Sequence, residues 1–182
     1  MATLILALET FVDSQFQQLQ TAVSTLIDRE PEPTNTNAPL TGFRFHHIGL
    51  ACRDIEKEAR ALRLLGYELE GQHFMDPLQK IHGCFLVGLG PRMELLAPVD
   101  ESSPIVSWLN KDAKMYHQAY EVASIDAALK ALRTQHAVVV SRPKPAVAFG
   151  DRKVAFLLLP NSLLIELIEC PGLQDATQGP AR

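Results

Sequence analysis

Two histidines and two glutamates recur in this sequence at nearly equal intervals. Glu94 follows His47 by 47 residues and Glu166 follows His117 by 49. The two histidines are 70 residues apart and the two glutamates 72. Two imidazoles and two carboxylates form a donor set for a divalent ion such as Zn, Co, Ni or Mn. Both glutamates sit in apolar runs, Met93-Glu94-Leu95-Leu96 and Leu164-Ile165-Glu166-Leu167-Ile168. A carboxylate in such a strand is costly to bury unless a cation meets it. Taken singly, each could instead lie on a solvated strand face, so the repeat carries the case.

The elements around these residues repeat as well. Phe45 to Cys52 reads as a strand, and Asp54 to Leu65 as a helix stopped by Gly66. Short strands fit 67–70, 81–89 and 93–98, the last two parted by Gly90-Pro91. A short helix with Pro104 at its start fits 103–109. The second round has a strand at 116–122, a helix from Ser124 to about Gln135, and strands at 137–141, 154–159 and 163–169. Both rounds read β, α, β, β, β. In each, the histidine lies in the first strand and the glutamate in the last, and a pseudo-twofold would bring all four to one point.

Upstream, Leu4, Leu8, Phe11, Val12, Leu19, Val23, Leu26 and Ile27 recur at helical spacing. The expected organisation is therefore a helix within 1–28, a proline-rich linker at 29–42, one α+β domain at 43–171 with halves 43–100 and 113–171, and a flexible tail at 172–182. The helix needs a covering surface. That surface is the domain itself, a second copy in a homodimer, or a larger partner enzyme.

The 182 residues carry a net charge of −4 and a pI near 5.8, with no Lys/Arg cluster to track a phosphate backbone, which excludes a nucleic-acid surface. No run approaches transmembrane length, and no basic leader precedes an apolar stretch. Three scattered cysteines offer neither a disulfide framework nor a thiolate site. A cytoplasmic protein with a small-molecule substrate is the expectation.

These motifs resemble the glyoxalase/vicinal-oxygen-chelate superfamily, and within it the methylmalonyl-CoA epimerases. The resemblance runs from about Phe45 to Glu169. It rests on His46-His47-Ile48-Gly49-Leu50-Ala51, Met93-Glu94-Leu95-Leu96-Ala97-Pro98, Ser103-Pro104-Ile105-Val106-Ser107-Trp108-Leu109, Tyr116-His117-Gln118-Ala119-Tyr120-Glu121-Val122, Arg152-Lys153-Val154-Ala155-Phe156-Leu157 and Leu164-Ile165-Glu166-Leu167-Ile168-Glu169.

The resemblance implies a curved mixed sheet of two βαβββ modules and a metal held by His47, Glu94, His117 and Glu166. It implies metal-assisted proton abstraction beside a carbonyl, with an acyl thioester as substrate. Glu166 is then one base. Inverting a stereocentre needs a second, and His82 is the strong titratable group on the strand 81–89; its alternative is an exposed strand histidine. Gln79 matches a glutamine that orients substrate. Lys144, Arg142 and Arg152 are candidates for a phosphate or carboxylate. The segment Ala146-Val147-Ala148-Phe149-Gly150 is bulkier than the glycine-rich loop usual in the epimerases. A glyoxalase I-type lyase uses the same four ligands. A binding or assembly-line accessory role is the non-enzymatic alternative.

Overall fold

The computed structural model describes residues 42–173. The helix expected within 1–28, most of the linker and most of the tail lie outside the described residues.

Each half begins with a strand, crosses by a helix and returns as three strands. The first half is β1 (Phe43–Ala51), α1 (Ile55–Arg63), β2 (Glu68–Asp76), β3 (Ile81–Val87) and β4 (Met93–Pro98). A one-turn helix α2 (Val106–Leu109) leads to the second half. That half is β5 (Met115–Val122), α3 (Ile125–Thr134), β6 (Val138–Pro145), β7 (Lys153–Leu158) and β8 (Leu164–Glu169). All eight strands form one sheet in the order β2-β3-β4-β1-β5-β8-β7-β6. The antiparallel β1–β5 pair joins the halves, and each opening strand runs parallel to the closing strand of its own half.

Local chemistry starts both helices in the same way. The side chain of Asp54 accepts from Lys57 N–H, and that of Ser124 accepts from Ala127 N–H. Helix α1 buries Ile55 and Ala59 against Cys84, Leu86, Leu95 and Ala97. Helix α3 buries Ile125, Ala128, Leu129 and Leu132 against Ala155, Leu157, Ile165 and Leu167. Strand alternation turns the intervening residues to the opposite, inner face. There Phe85, Ala119, Phe149, Val154, Phe156, Leu164 and Ile168 pack together.

Two strands run further than their sequences suggest. Strand β2 continues through Gly71-Gln72-His73, where Gly71 takes a positive φ and the register against β3 shifts. Pairing with β3 on either side, at Glu70–Phe85 and Phe74–Gly83, carries the strand across this polar stretch although it lacks apolar alternation. Strand β6 continues through Pro143 and Pro145 because it is a sheet edge, where a missing N–H breaks no ladder.

Candidate metal centre

The register places the four residues. In β1–β4 the partner of Glu94 is Gly49, two residues after His47; in β5–β8 the partner of Glu166 is Ala119, two residues after His117. On the other side Glu94 faces Phe85 of β3 and Glu166 faces Phe156 of β7. The two halves thus present the same arrangement, and antiparallel β1 and β5 bring them together on the inner face. Each histidine is preceded by a register shift, at His46 in β1 and at Tyr116 in β5.

The donor atoms converge. His47 Nε2 lies 3.0 Å from both Glu94 Oε2 and His117 Nε2, and 3.6 Å from Glu166 Oε2. His117 Nε2 lies 3.5 Å from Glu94 Oε2 and 3.4 Å from Glu166 Oε2. Adjacent N and O donors sharing one transition-metal ion at ordinary bond lengths stand roughly 2.8 to 3.6 Å apart, and the five separations fall in that range, so this set fits such an ion. All four residues are buried. Glu166 Oε2 and His117 Nδ1 have no hydrogen-bond partner.

Burial works against charge at every member. It lowers His47 to about 3 and His117 to about 4, and pushes Glu94 up to about 7 and Glu166 up to about 8. Neutral imidazoles with bare nitrogens suit a metal, and a divalent cation removes the reason for the carboxylates to hold protons.

Residues 46–156 match the Glyoxalase/Bleomycin resistance protein/Dioxygenase superfamily. The chain belongs to that superfamily. It is 32% identical over 129 residues to the ethylmalonyl-CoA/methylmalonyl-CoA epimerase of Cereibacter sphaeroides, a match covering 68% of this chain and 96% of that protein. It is 34% identical over 149 residues to the mitochondrial methylmalonyl-CoA epimerase of Bos taurus, covering 78% of this chain and 83% of that one. Among solved structures it is similar to a Streptomyces coelicolor methylmalonyl-CoA epimerase variant in complex with 2-nitronate-propionyl-CoA. That likeness has 26% identity and a TM-score of 0.59, and covers 69% of this chain and 96% of that one.

Around these four residues, the others singled out in the sequence are placed unequally. Gln79 lines a small cavity with Glu94, His117, Glu166, Tyr116 and Phe149. The cavity holds about 20 Å³, room for about one water molecule. Asp76, missed in the sequence, pins its rim: it accepts from the Gln79 N–H (2.9 Å), the Gln79 amide (3.3 Å) and the Val147 N–H (3.1 Å). Lys144 is cross-strand from Val154, whose side chain is on the inner face, and its charge acts on Glu166. Arg152 donates to Glu121 (2.9 Å) and to the Phe149 carbonyl (3.2 Å). Burial alone would raise the Glu121 carboxyl, but hydrogen bonds from Arg152 and Arg44 hold it below the ordinary range.

His82 does not reach the cavity. Its cross-strand partner is Ala97, which packs under α1, while Ile81 and Phe85 face inward. Period-two alternation therefore puts His82 on the outer face with Cys84 and Leu86. Gly83 takes the inner position between Ile81 and Phe85, and a Cβ there would lie 2.5 Å from the Leu95 carbonyl. Among the described residues no helix is long and apolar enough to cross a membrane.

Proposed function

We propose that this protein is a metal-dependent isomerase of the epimerase type, removing a proton beside the carbonyl of a small acyl thioester. The observation that carries this reading is the buried convergence of His47, Glu94, His117 and Glu166, with Glu166 Oε2 left without a hydrogen bond. The named relatives act in the same direction, as epimerases of acyl-CoA substrates.

His47, Glu94, His117 and Glu166 would hold a divalent ion, which would supply Lewis-acid polarisation of a substrate carbonyl worth several kcal/mol. The protein's own contributions are separate. Glu166 receives the α-proton on the carboxylate oxygen that the ion would leave free. The Gln79 amide, held by Asp76, meets a polar group of the substrate at the rim. Phe85, Phe149 and Phe156 exclude water from the inner face. Lys144 and Arg152 are the candidates to meet an acidic group of the substrate, Arg152 by exchanging its bond to Glu121. A cavity of about 20 Å³ holds about one water molecule, so even a small acyl end enters only as the rim held by Asp76 opens, and the carrier portion stays outside.

One observation favours a second reading, a one-base lyase of the glyoxalase I type. The residues lining the cavity include no carboxylate or imidazole besides Glu94, His117 and Glu166, and His82 lies on the other face. An enzyme with Glu166 as the sole base returns the proton to the face it left.

The test is proton exchange in deuterated water. Metal-loaded protein is mixed with methylmalonyl-CoA and with simpler acyl thioesters, and α-deuterium is followed by mass spectrometry. Exchange that Glu166→Gln abolishes supports metal-assisted enolisation, and inversion against retention separates epimerase from one-base chemistry. Metal-bound protein that exchanges none of these thioesters overturns the thioester reading.

A further inference from the structure

His47 has a ring partner one residue upstream, His46. The register of β1 against β5 shifts between Phe45 and His47, so His46 is the extra residue of a β-bulge. A bulge breaks the alternation of side chains across the sheet, and both histidine rings come together with centroids 5.0 Å apart. His46 Nδ1 stands 2.7 Å from His47 Nδ1. A contact that short between two ring nitrogens needs one to carry hydrogen and the other a lone pair.

Which one donates follows from the far side of His47. Its Nε2 faces Glu94, His117 and Glu166. A metal-binding imidazole presents a bare nitrogen, so the hydrogen of His47 belongs on Nδ1. Arg92 leaves His46 able to accept it. The guanidinium Nη1 lies 2.9 Å from His46 Nε2 and 3.3 Å from Nδ1. A donor in line with the Nε2 lone pair would point away from Nδ1 and could not approach both. Arg92 therefore rests on the imidazole face, as it does on Phe85 at 3.9 Å from the ring centroid, and His46 Nε2 keeps its own hydrogen.

We propose that His46 is a positioning residue for the metal centre. Its Nδ1 accepts from His47 Nδ1–H and holds His47 in the tautomer whose Nε2 faces the ion. This rests on the metal reading above. His117 has no such support, since its Nδ1 lacks a partner, so the dependence falls on the His47 side of the centre. Outer partners of metal-binding histidines typically change affinity by about 10- to 100-fold.

The experiment compares the full chain with His46→Leu and His46→Asn, two side chains of similar shape, of which only Asn carries an acceptor. Zn(II) and Co(II) affinities are measured by competition with a chromophoric chelator, and the metal-free melting temperature of each variant checks the fold. Proton NMR of the Co(II) protein adds a signature, the shifted exchangeable N–H of His47. The expected result is about a 10- to 100-fold loss in His46→Leu, loss of the N–H signal, and recovery of most of both in His46→Asn. If Leu binds as tightly as the parent, or Asn no better than a weakened Leu, the proposal is overturned while the metal centre stands. If the parent itself binds neither ion, the metal reading falls and takes this one with it.

Discussion

Gly49 and His117 face each other across the β1–β5 pair, and the ring of His117 fills the space where a side chain at 49 would be. A Cβ on Gly49 would lie 2.3 Å from His117 Cε1 and 2.5 Å from Nδ1. The glycine two residues after the first histidine is thus part of the site, as room for the second.

Gly49→Ala should therefore displace the His117 ring. We expect metal content after gel filtration, measured by inductively coupled plasma mass spectrometry, to fall well below that of the parent. Overpacking at a buried strand contact should also cost about 1 to 3 kcal/mol in chemical denaturation. An alanine variant with full metal and unchanged stability would show that His117 is held elsewhere.

Glu94→Gln and Glu166→Gln should each abolish metal retention and keep the fold. The pH dependence of the metal-free protein gives a second readout. Folding raises Glu94 to about 7 and Glu166 to about 8 by burial, so the folded chain binds more protons than the unfolded one, and their contribution is lost as pH rises. Folding lowers His47 to about 3 and His117 to about 4, so their contribution grows with pH up to the ordinary imidazole value of about 6.5. Below that value the two effects oppose each other. Above it only the carboxylates act. In chelator, the melting temperature should fall between about pH 6.5 and 8; Glu166→Gln should flatten the fall, and Zn(II) should remove it. A flat profile for the metal-free parent would mean that the carboxylates are not buried as described.

Asp76→Ala should release both sides of the cavity rim, since it strips the acceptor from Gln79 and from Val147 N–H. Bonds to a buried charged acceptor suggest a cost of about 2 kcal/mol or more. Hydrogen exchange at the Val147 amide should accelerate, and Asp76→Asn, which keeps one acceptor, should do less harm. Unchanged protection at Val147 would argue against the latch.

His82→Ala should leave metal content and any thioester exchange as they are, because the side chain shares the α1 face with Cys84 and Leu86. A large loss of exchange with intact metal would instead return His82 to the chemistry.

The sequence by itself determined the two-module repeat and the four residues most able to hold a metal, because both follow from periodicity. Apolar alternation marks a half-buried strand, and a histidine and a glutamate at matching places in two such units need no folded structure to be noticed. The helix starts at Asp54 and Ser124 were legible for the same reason, being local. Tertiary structure decided the rest. Parity along β3, fixed by its pairing with β4, turns His82 away from the cavity and leaves the inner position to Gly83. The bulge that sets His46 beside His47 is a mismatch between β1 and β5, two strands some 70 residues apart, and nothing local to His46-His47 records it. Asp76 joins Gln79 to Val147 because the two halves close on each other. Register and closure are properties of pairs of strands, so a single strand's sequence cannot contain them.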